Sequence, residues 1–108
     1  MAPPEVQPLQ VCLALVRLGE AYYPRPCIVL AVDVSGIAAV AVSSRMDLYR
    51  PAEHFLISDG RPDFFATGLE RTSFAVGAPV ARIRRERIQK ILGALTADLA
   101  REFRKWIE

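Results

Sequence analysis

Few side chains in this 108-residue sequence have the chemistry to act on a substrate. His54 is the single histidine, and its side-chain type is the only one that ordinarily titrates near neutrality. One histidine beside two cysteines, Cys12 and Cys27, argues against a His/Cys metal site. The two cysteines lack CxxC spacing and are too few for a disulfide scaffold, so they read as small buried apolar residues. No GxSxG elbow accompanies His54, which argues against a serine triad. No Gly-rich phosphate loop is present. What remains is cationic and aromatic. Tyr22 and Tyr23 stand beside Arg25, where they either stack bases or pack a loop. Arg84, Arg85, Arg87 and Lys90 form a cluster that is either an RNA-backbone contact or a solvated helix face. Asp63, Arg71, Thr72 and Ser73 either shape a groove or hold a loop.

Charge is placed rather than spread. The formal net charge is only +2, yet eight of the 14 Lys and Arg lie in residues 82–108, against four acids. The first 81 residues carry six bases and eight acids. Nothing in the near-neutral total suggests a polyanion-coating protein. A composition of 52% apolar and 24% charged residues is that of a globular domain, and the length allows one. Residues 1–8 hold three of the eight prolines and read as a flexible or extended lead-in to a single domain over 9–108. The longest apolar stretch, Cys27 to Val42, is interrupted by Asp33 and by Ser35-Gly36. It is too short and too broken to span a bilayer. No basic segment precedes the first apolar run, so no signal peptide is expected. A cytoplasmic, reduced protein is the expectation.

The elements that must position these groups follow from the apolar pattern. Val11 to Val16 predicts a strand. Gly19 to Pro26, with two Tyr and two Pro, predicts a loop. Ile28 to Val34 and Ile37 to Val42 are rich in β-branched residues, and Ser35-Gly36 between them is turn chemistry, so a hairpin is predicted. Both strands are apolar almost throughout, which implies burial on both faces and an inner position. Ser43 to Ala52 predicts a helical turn or a loop. Glu53 to Ser58 predicts a strand, and residues 59–63 predict a turn. Leu69 to Val76 and Pro79 to Ile83 predict two further strands split by Gly77. Ile88, Ile91, Leu92 and Leu95 follow i, i+3, i+4, i+7 and predict one face of a helix weakened or ended at Gly93. Thr96 predicts an N-cap with Asp98 in the first turn. Leu99, Phe103, Trp106 and Ile107 then define an amphipathic helix, with its aromatics in a core or a dimer contact. Strands followed by a helical tail make an α+β fold, expected here as a small SH3-like β-barrel closed by a C-terminal helix.

Four segments, in order, resemble the MazF/PemK family of bacterial toxins. They are Arg25-Pro26-Cys27-Ile28-Val29-Leu30, Val40-Ala41-Val42-Ser43-Ser44, the stretch from Asp63-Phe64 through Thr67-Gly68-Leu69-Glu70-Arg71-Thr72-Ser73-Phe74, and Ile91-Leu92-Gly93-Ala94-Leu95-Thr96 with the helix after it. Together they cover about residues 24–107. The first strand opens as Gln10-Val11-Cys12-Leu13, unlike the family, and the loop before Arg25 is shorter than usual.

The resemblance implies a homodimeric endoribonuclease acting on single-stranded RNA, with no cofactor and no metal. It also implies a small antitoxin whose tail occupies the RNA groove. By position, the catalytic Arg falls on Arg25 and the catalytic hydroxyl on Ser43, with Ser44 as the neighbouring possibility. Tyr22, Tyr23, Ser44, Arg45, His54 and Arg71 are the expected RNA contacts. In such chemistry the RNA 2′-OH attacks the adjacent phosphate, so the protein supplies no nucleophile. It must hold the phosphate and stabilise the charge that develops. A guanidinium offers a planar fork of donors to phosphate oxygens, and a hydroxyl adds another. Arginine is a poor base, which leaves His54 as a secondary candidate for that task. The alternatives are a non-catalytic module of the same fold that binds RNA or a peptide, and a purely structural dimer unit.

Overall fold

The computed structural model describes residues 2–108. It contains six strands, β1 (Gln10–Leu18), β2 (Ala21–Val32), β3 (Gly36–Ser43), β4 (His54–Ile57), β5 (Ser73–Arg84) and β6 (Ile88–Ala94), followed by one helix, α1 (Ala97–Ile107). Short 3₁₀ turns sit at Met46–Leu48, Phe64–Thr67 and Arg85–Arg87. All strand pairs are antiparallel, in the order β4-β5-β3-β2-β1-β6. The fold is therefore α+β. β4 and β6 are the two edges, and the sheet is open.

The central strands are apolar on both faces because both faces are covered. Val11, Ile28, Val40 and Val42 point toward α1 and bury against Leu99 and Phe103. Cys12, Cys27, Val29 and Ala39 form a second core on the other side, with Val6, Ile83 and Ile88. Residues 2–8 form no helix or strand, yet Val6 is buried there, and the Leu9 N–H donates to the Val29 carbonyl at 2.8 Å. Cys12 and Cys27 are opposite each other across the β1–β2 ladder, both buried as free thiols.

Three expectations are corrected. The loop predicted over Gly19 to Pro26 is strand from Ala21 onward. Gly19, at φ +67°, opens a two-residue turn between Leu18 and Ala21. Pro24 and Pro26 are tolerated because β3 pairs with β2 only from Cys27 onward, leaving one side of β2 without a partner that needs an N–H. The two strands expected around Gly77 are one strand, β5. Its register against β3 slips between the Ala41–Val76 and Ala39–Ala81 pairs, so residues 77–80 bulge. Gly77 leaves room there for Trp106, whose ring a Cβ would approach to 2.9 Å.

The helix expected from Ile88 is β6. Its register against β1 shifts twice, leaving Gln89 and Leu92 as extra residues. Two bulges turn a two-residue alternation into spacings of three and four, which imitate a helical face. Gly93 does not end a helix. It lets the Phe64–Thr67 turn lie against β6, where a Cβ would come 2.2 Å from the Ala66 carbonyl oxygen.

α1 matches its prediction. Leu99, Ala100 and Phe103 are buried, and Phe103 meets Phe55 edge-on at 5.5 Å. The aromatic face of the helix thus packs into this chain's own core. Thr96 holds the N-cap position, but its hydroxyl caps nothing. It donates to Asp63 Oδ2 at 2.6 Å.

Candidate functional site

A groove of about 540 Å³ opens where the ends of β2 and β3 meet the segment before β5. Arg25, Ser43, Ser44, Arg45 and Arg71 all line it. Each arrives for a separate reason. Arg25 follows Pro24 on the stretch of β2 that β3 leaves open, directly across from Ala14. Ser43 ends β3 opposite Phe74, where the chain leaves the sheet. Arg71 is carried by the loop that Gly68 turns. Gly68 sits at φ +73°, and a Cβ there would lie 2.1 Å from the Leu92 carbonyl oxygen. Ser73 is buried behind this loop and donates to the Arg71 carbonyl at 2.8 Å.

The hydrogen bonds show which of these groups are available. The Ser43 hydroxyl accepts the Arg45 backbone N–H at 3.1 Å, leaving its own proton free to donate. The Arg45 guanidinium is held by Asp47 through two bonds of 3.2 and 2.9 Å. Arg25 has no carboxylate partner among the described residues. Its Nη1 donates to the adjacent Pro24 carbonyl at 3.1 Å, and its remaining donors face the groove and solvent. Arg71 likewise has no ion pair among the described residues.

Two further ionic side chains complete the lining, Glu70 and Lys90. Lys90 lies across from Leu13, which itself lies across from Pro26, so one row over three strands brings it to Arg25's end of the sheet. The misread helix at 88–95 hid this placement. Glu70 carries no pattern in the sequence that marks it. It is the one carboxylate among the lining residues, set among four cationic side chains.

Three expected contacts are not brought to the groove wall. His54 stacks on Phe74 at 4.6 Å, and its Nδ1 accepts the Arg50 backbone N–H at 2.9 Å. It orders the entry to β4. The Tyr22 ring lies 3.7 Å beneath the Arg87 guanidinium, away from Arg25. Tyr23 is closer, with its ring 5.7 Å from Arg25 Cζ, but it stands beside the groove rather than in it. Asp63 and Thr72 hold loops. Asp63 binds Arg61 and Thr96, and the Thr72 hydroxyl accepts the Asp59 N–H at 3.0 Å. Cys27 Sγ touches the Arg25 carbonyl at 3.6 Å. Burial, with Cys12 nearby, pushes the Cys27 thiol up to about 12, so it stays protonated and inert as a nucleophile at neutral pH.

The arrangement suits an anion that is planar or tetrahedral and rich in oxygen. It offers a free guanidinium, two adjacent hydroxyls and further positive charge around them. No family model and no curated protein matches this chain. No helix among the described residues is long and apolar enough to cross a membrane.

Proposed function

We propose that the groove binds single-stranded RNA and cleaves it as a MazF/PemK-like endoribonuclease, with the open sheet being an SH3-like barrel left unclosed. The observation that carries this reading is the convergence of Arg25, free of any carboxylate partner among the described residues, with Ser43 and Ser44 in the lining of one groove. The 2′-oxygen forms a bond to phosphorus as the bond from phosphorus to the 5′-oxygen breaks. Arg25 supports the non-bridging oxygens, where negative charge grows. The Ser43 hydroxyl, with one lone pair engaged by Arg45, donates to the same phosphate. Glu70 takes the proton of the 2′-OH, and water returns one to the departing 5′-oxygen. The homodimer and the neutralising antitoxin belong to the same proposal.

The test is incubation of purified protein with single-stranded RNA in the presence of a chelator. Products ending in a 2′,3′-cyclic phosphate support the reading, and Arg25→Ala should abolish them. Persistent cutting by that variant removes Arg25 from the site. RNA binding without any cutting leaves the non-catalytic module as the function.

A further inference from the structure

A cavity of about 590 Å³, separate from the Arg25 groove, lies between the outer half of β1 and the end of β5. Neither strand is covered there. β6 pairs with β1 only as far as Ala14, and β4 pairs with β5 only as far as Val76. Part of the lining is apolar. Leu15 and Val16 come from β1, Ala81 and the buried Ile83 from β5. Ile83 belongs to the second core, and Val16 and Ala81 pack onto it, so this part of the cavity has a fixed backing.

The rest of the lining is basic. Arg17, Arg82, Arg84 and Arg87 surround the cavity with Tyr22, and no acid lines it. Arg82 is engaged by Asp33 at 2.6 Å. Arg84 is not held in this way, since Glu86 stands 3.9 Å away, beyond a hydrogen bond. Arg17 and Arg87 have no carboxylate partner among the described residues. Arg17 donates through Nε to the Gly19 carbonyl at 3.0 Å, which orients the group and leaves its terminal nitrogens for a ligand. Arg87 lies 3.7 Å over the Tyr22 ring, a contact with the face of the guanidinium that spares the N–H donors at its rim.

We infer that this cavity binds a free nucleoside polyphosphate, its phosphates on Arg17, Arg84 and Arg87 and its ring system against Leu15, Val16, Ala81 and Ile83. Apolar backing with a few convergent polar groups is the ordinary make-up of a small-molecule site, and the volume is of the ordinary size. Guanidinium groups meet phosphate oxygens in pairs of parallel hydrogen bonds. A single phosphate would engage one or two of these arginines and leave the apolar part empty. A nucleic-acid strand spreads its charge along a track and seeks open aromatic faces. Here the charge is gathered around one cavity, and Arg87 covers the Tyr22 ring. The inference does not depend on RNA cleavage, since this cavity and the Arg25 groove share no lining residue.

The test titrates ATP into the full chain by calorimetry, at low salt and with a chelator present, beside inorganic triphosphate and adenosine. ATP should bind tightest, triphosphate more weakly and adenosine weakest. ATP binding should also weaken as salt rises. Arg17→Gln combined with Arg87→Gln should weaken ATP binding about tenfold or more, while Arg25→Ala leaves it unchanged. Amide resonances of Leu15–Leu18 and Ala81–Arg84 should shift on binding. Absence of ATP binding, indifference to the double variant, or shifts confined to the Arg25 groove would overturn the inference. Triphosphate binding as tightly as ATP would overturn the assignment of the ring to the apolar residues, and adenosine binding as tightly would overturn that of the phosphates to the arginines. Displacement of ATP by a 5′-hydroxyl oligouridylate whose own affinity falls in the double variant would make the cavity a nucleic-acid site instead. If the double variant does not fold, Arg84→Gln decides, because that side chain is largely exposed, and unchanged ATP affinity there would count against the inference.

Discussion

Arg25 and Arg61 sit at opposite ends of the same chemistry. Arg61 is three-quarters buried and spends its donors twice over. It grips Asp63 at 2.8 and 3.1 Å and Glu102 at 3.2 and 2.8 Å. Thr96 adds a third bond to the same Asp63 carboxylate. The result ties the loop after β4 to the first half of α1. Arg25 is exposed, donates only to its own neighbour's carbonyl, and faces a groove holding hydroxyls. A guanidinium saturated by carboxylates has no capacity left for a ligand, whereas one left unpaired beside hydroxyls has all of it. Partner count, rather than residue type, separates the arginine that holds the fold from the arginine available for a phosphate.

The sharpest way to break this contrast is Arg25→Ala. Removing a donor aimed at developing charge costs about 10²–10³ in rate, so RNA cleavage should fall at least that far. Thermal melting should change little, because Arg25 has no ion pair among the described residues and, beyond the Pro24 carbonyl, its side chain meets only the exposed Tyr23 ring, at 5.7 Å. A large loss of melting temperature would place Arg25 with Arg61 among the structural arginines.

A smaller effect, of about 2–3 kcal/mol or more in stability, is expected for Gly93→Val. The new side chain must displace the Ala66 and Thr67 backbone, which a Cβ would approach to 2.2 Å and 2.6 Å. That backbone leads directly into Gly68, Glu70 and Arg71, so the groove should lose RNA affinity along with the fold. Denaturant unfolding and RNA binding would check the two together. Retained affinity in a destabilised protein would show that the Phe64–Thr67 turn does not set the groove wall.

How far these roles could be read in the sequence depended on whether local pattern matched local structure. α1, β3 and the turn between β2 and β3 were legible because their periods are unbroken. Asp33 reinforces that turn, its Oδ1 accepting the N–H groups of Ser35 and Gly36 at 2.9 and 3.0 Å. β6 was misread because two bulges give Ile88, Ile91, Leu92 and Leu95 helical spacing. The start of β2 was misread because proline is a strand breaker only where a neighbour needs its N–H. In the groove, Arg25, Ser43, Ser44, Arg45 and Arg71 are legible from the sequence, and all five line it. Glu70 and Lys90 were not assigned to it, since only the register of β6 and the loop at Gly68 bring them there. His54 drew attention as the single histidine, but scarcity in a sequence says nothing of place. Its ring serves Phe74 and the Arg50 N–H.

Arg61→Ala tests the other half of the contrast. Loss of the clasp should lower the melting temperature by several degrees while cleavage by the folded protein persists. The expected cost is about 1 kcal/mol, in keeping with a partly exposed ion-pair network. If cleavage fell with the fold intact, the clasp would be positioning the groove as well as the helix.

The smallest effect is a pH dependence at Asp63. Hydrogen bonds from Arg61, then from Thr96, hold its carboxyl well below the usual aspartate range. A carboxyl depressed in the folded state binds its proton more readily when unfolded. Its contribution to stability is therefore complete above the ordinary aspartate value of about 3.9 and is lost as pH falls toward the folded value. Asp63→Asn should accordingly melt below the wild-type protein at neutral pH, and the two melting curves should converge in acid. Asp33, drawn down chiefly by Arg82 and Ser35, would blur that convergence if it were read from the wild type alone. The difference between the two proteins cancels it, because Asp33 is present in both. A gap that stays constant from neutral to acidic pH would mean that Asp63 acts through hydrogen bonds an amide disrupts, and not through its charge.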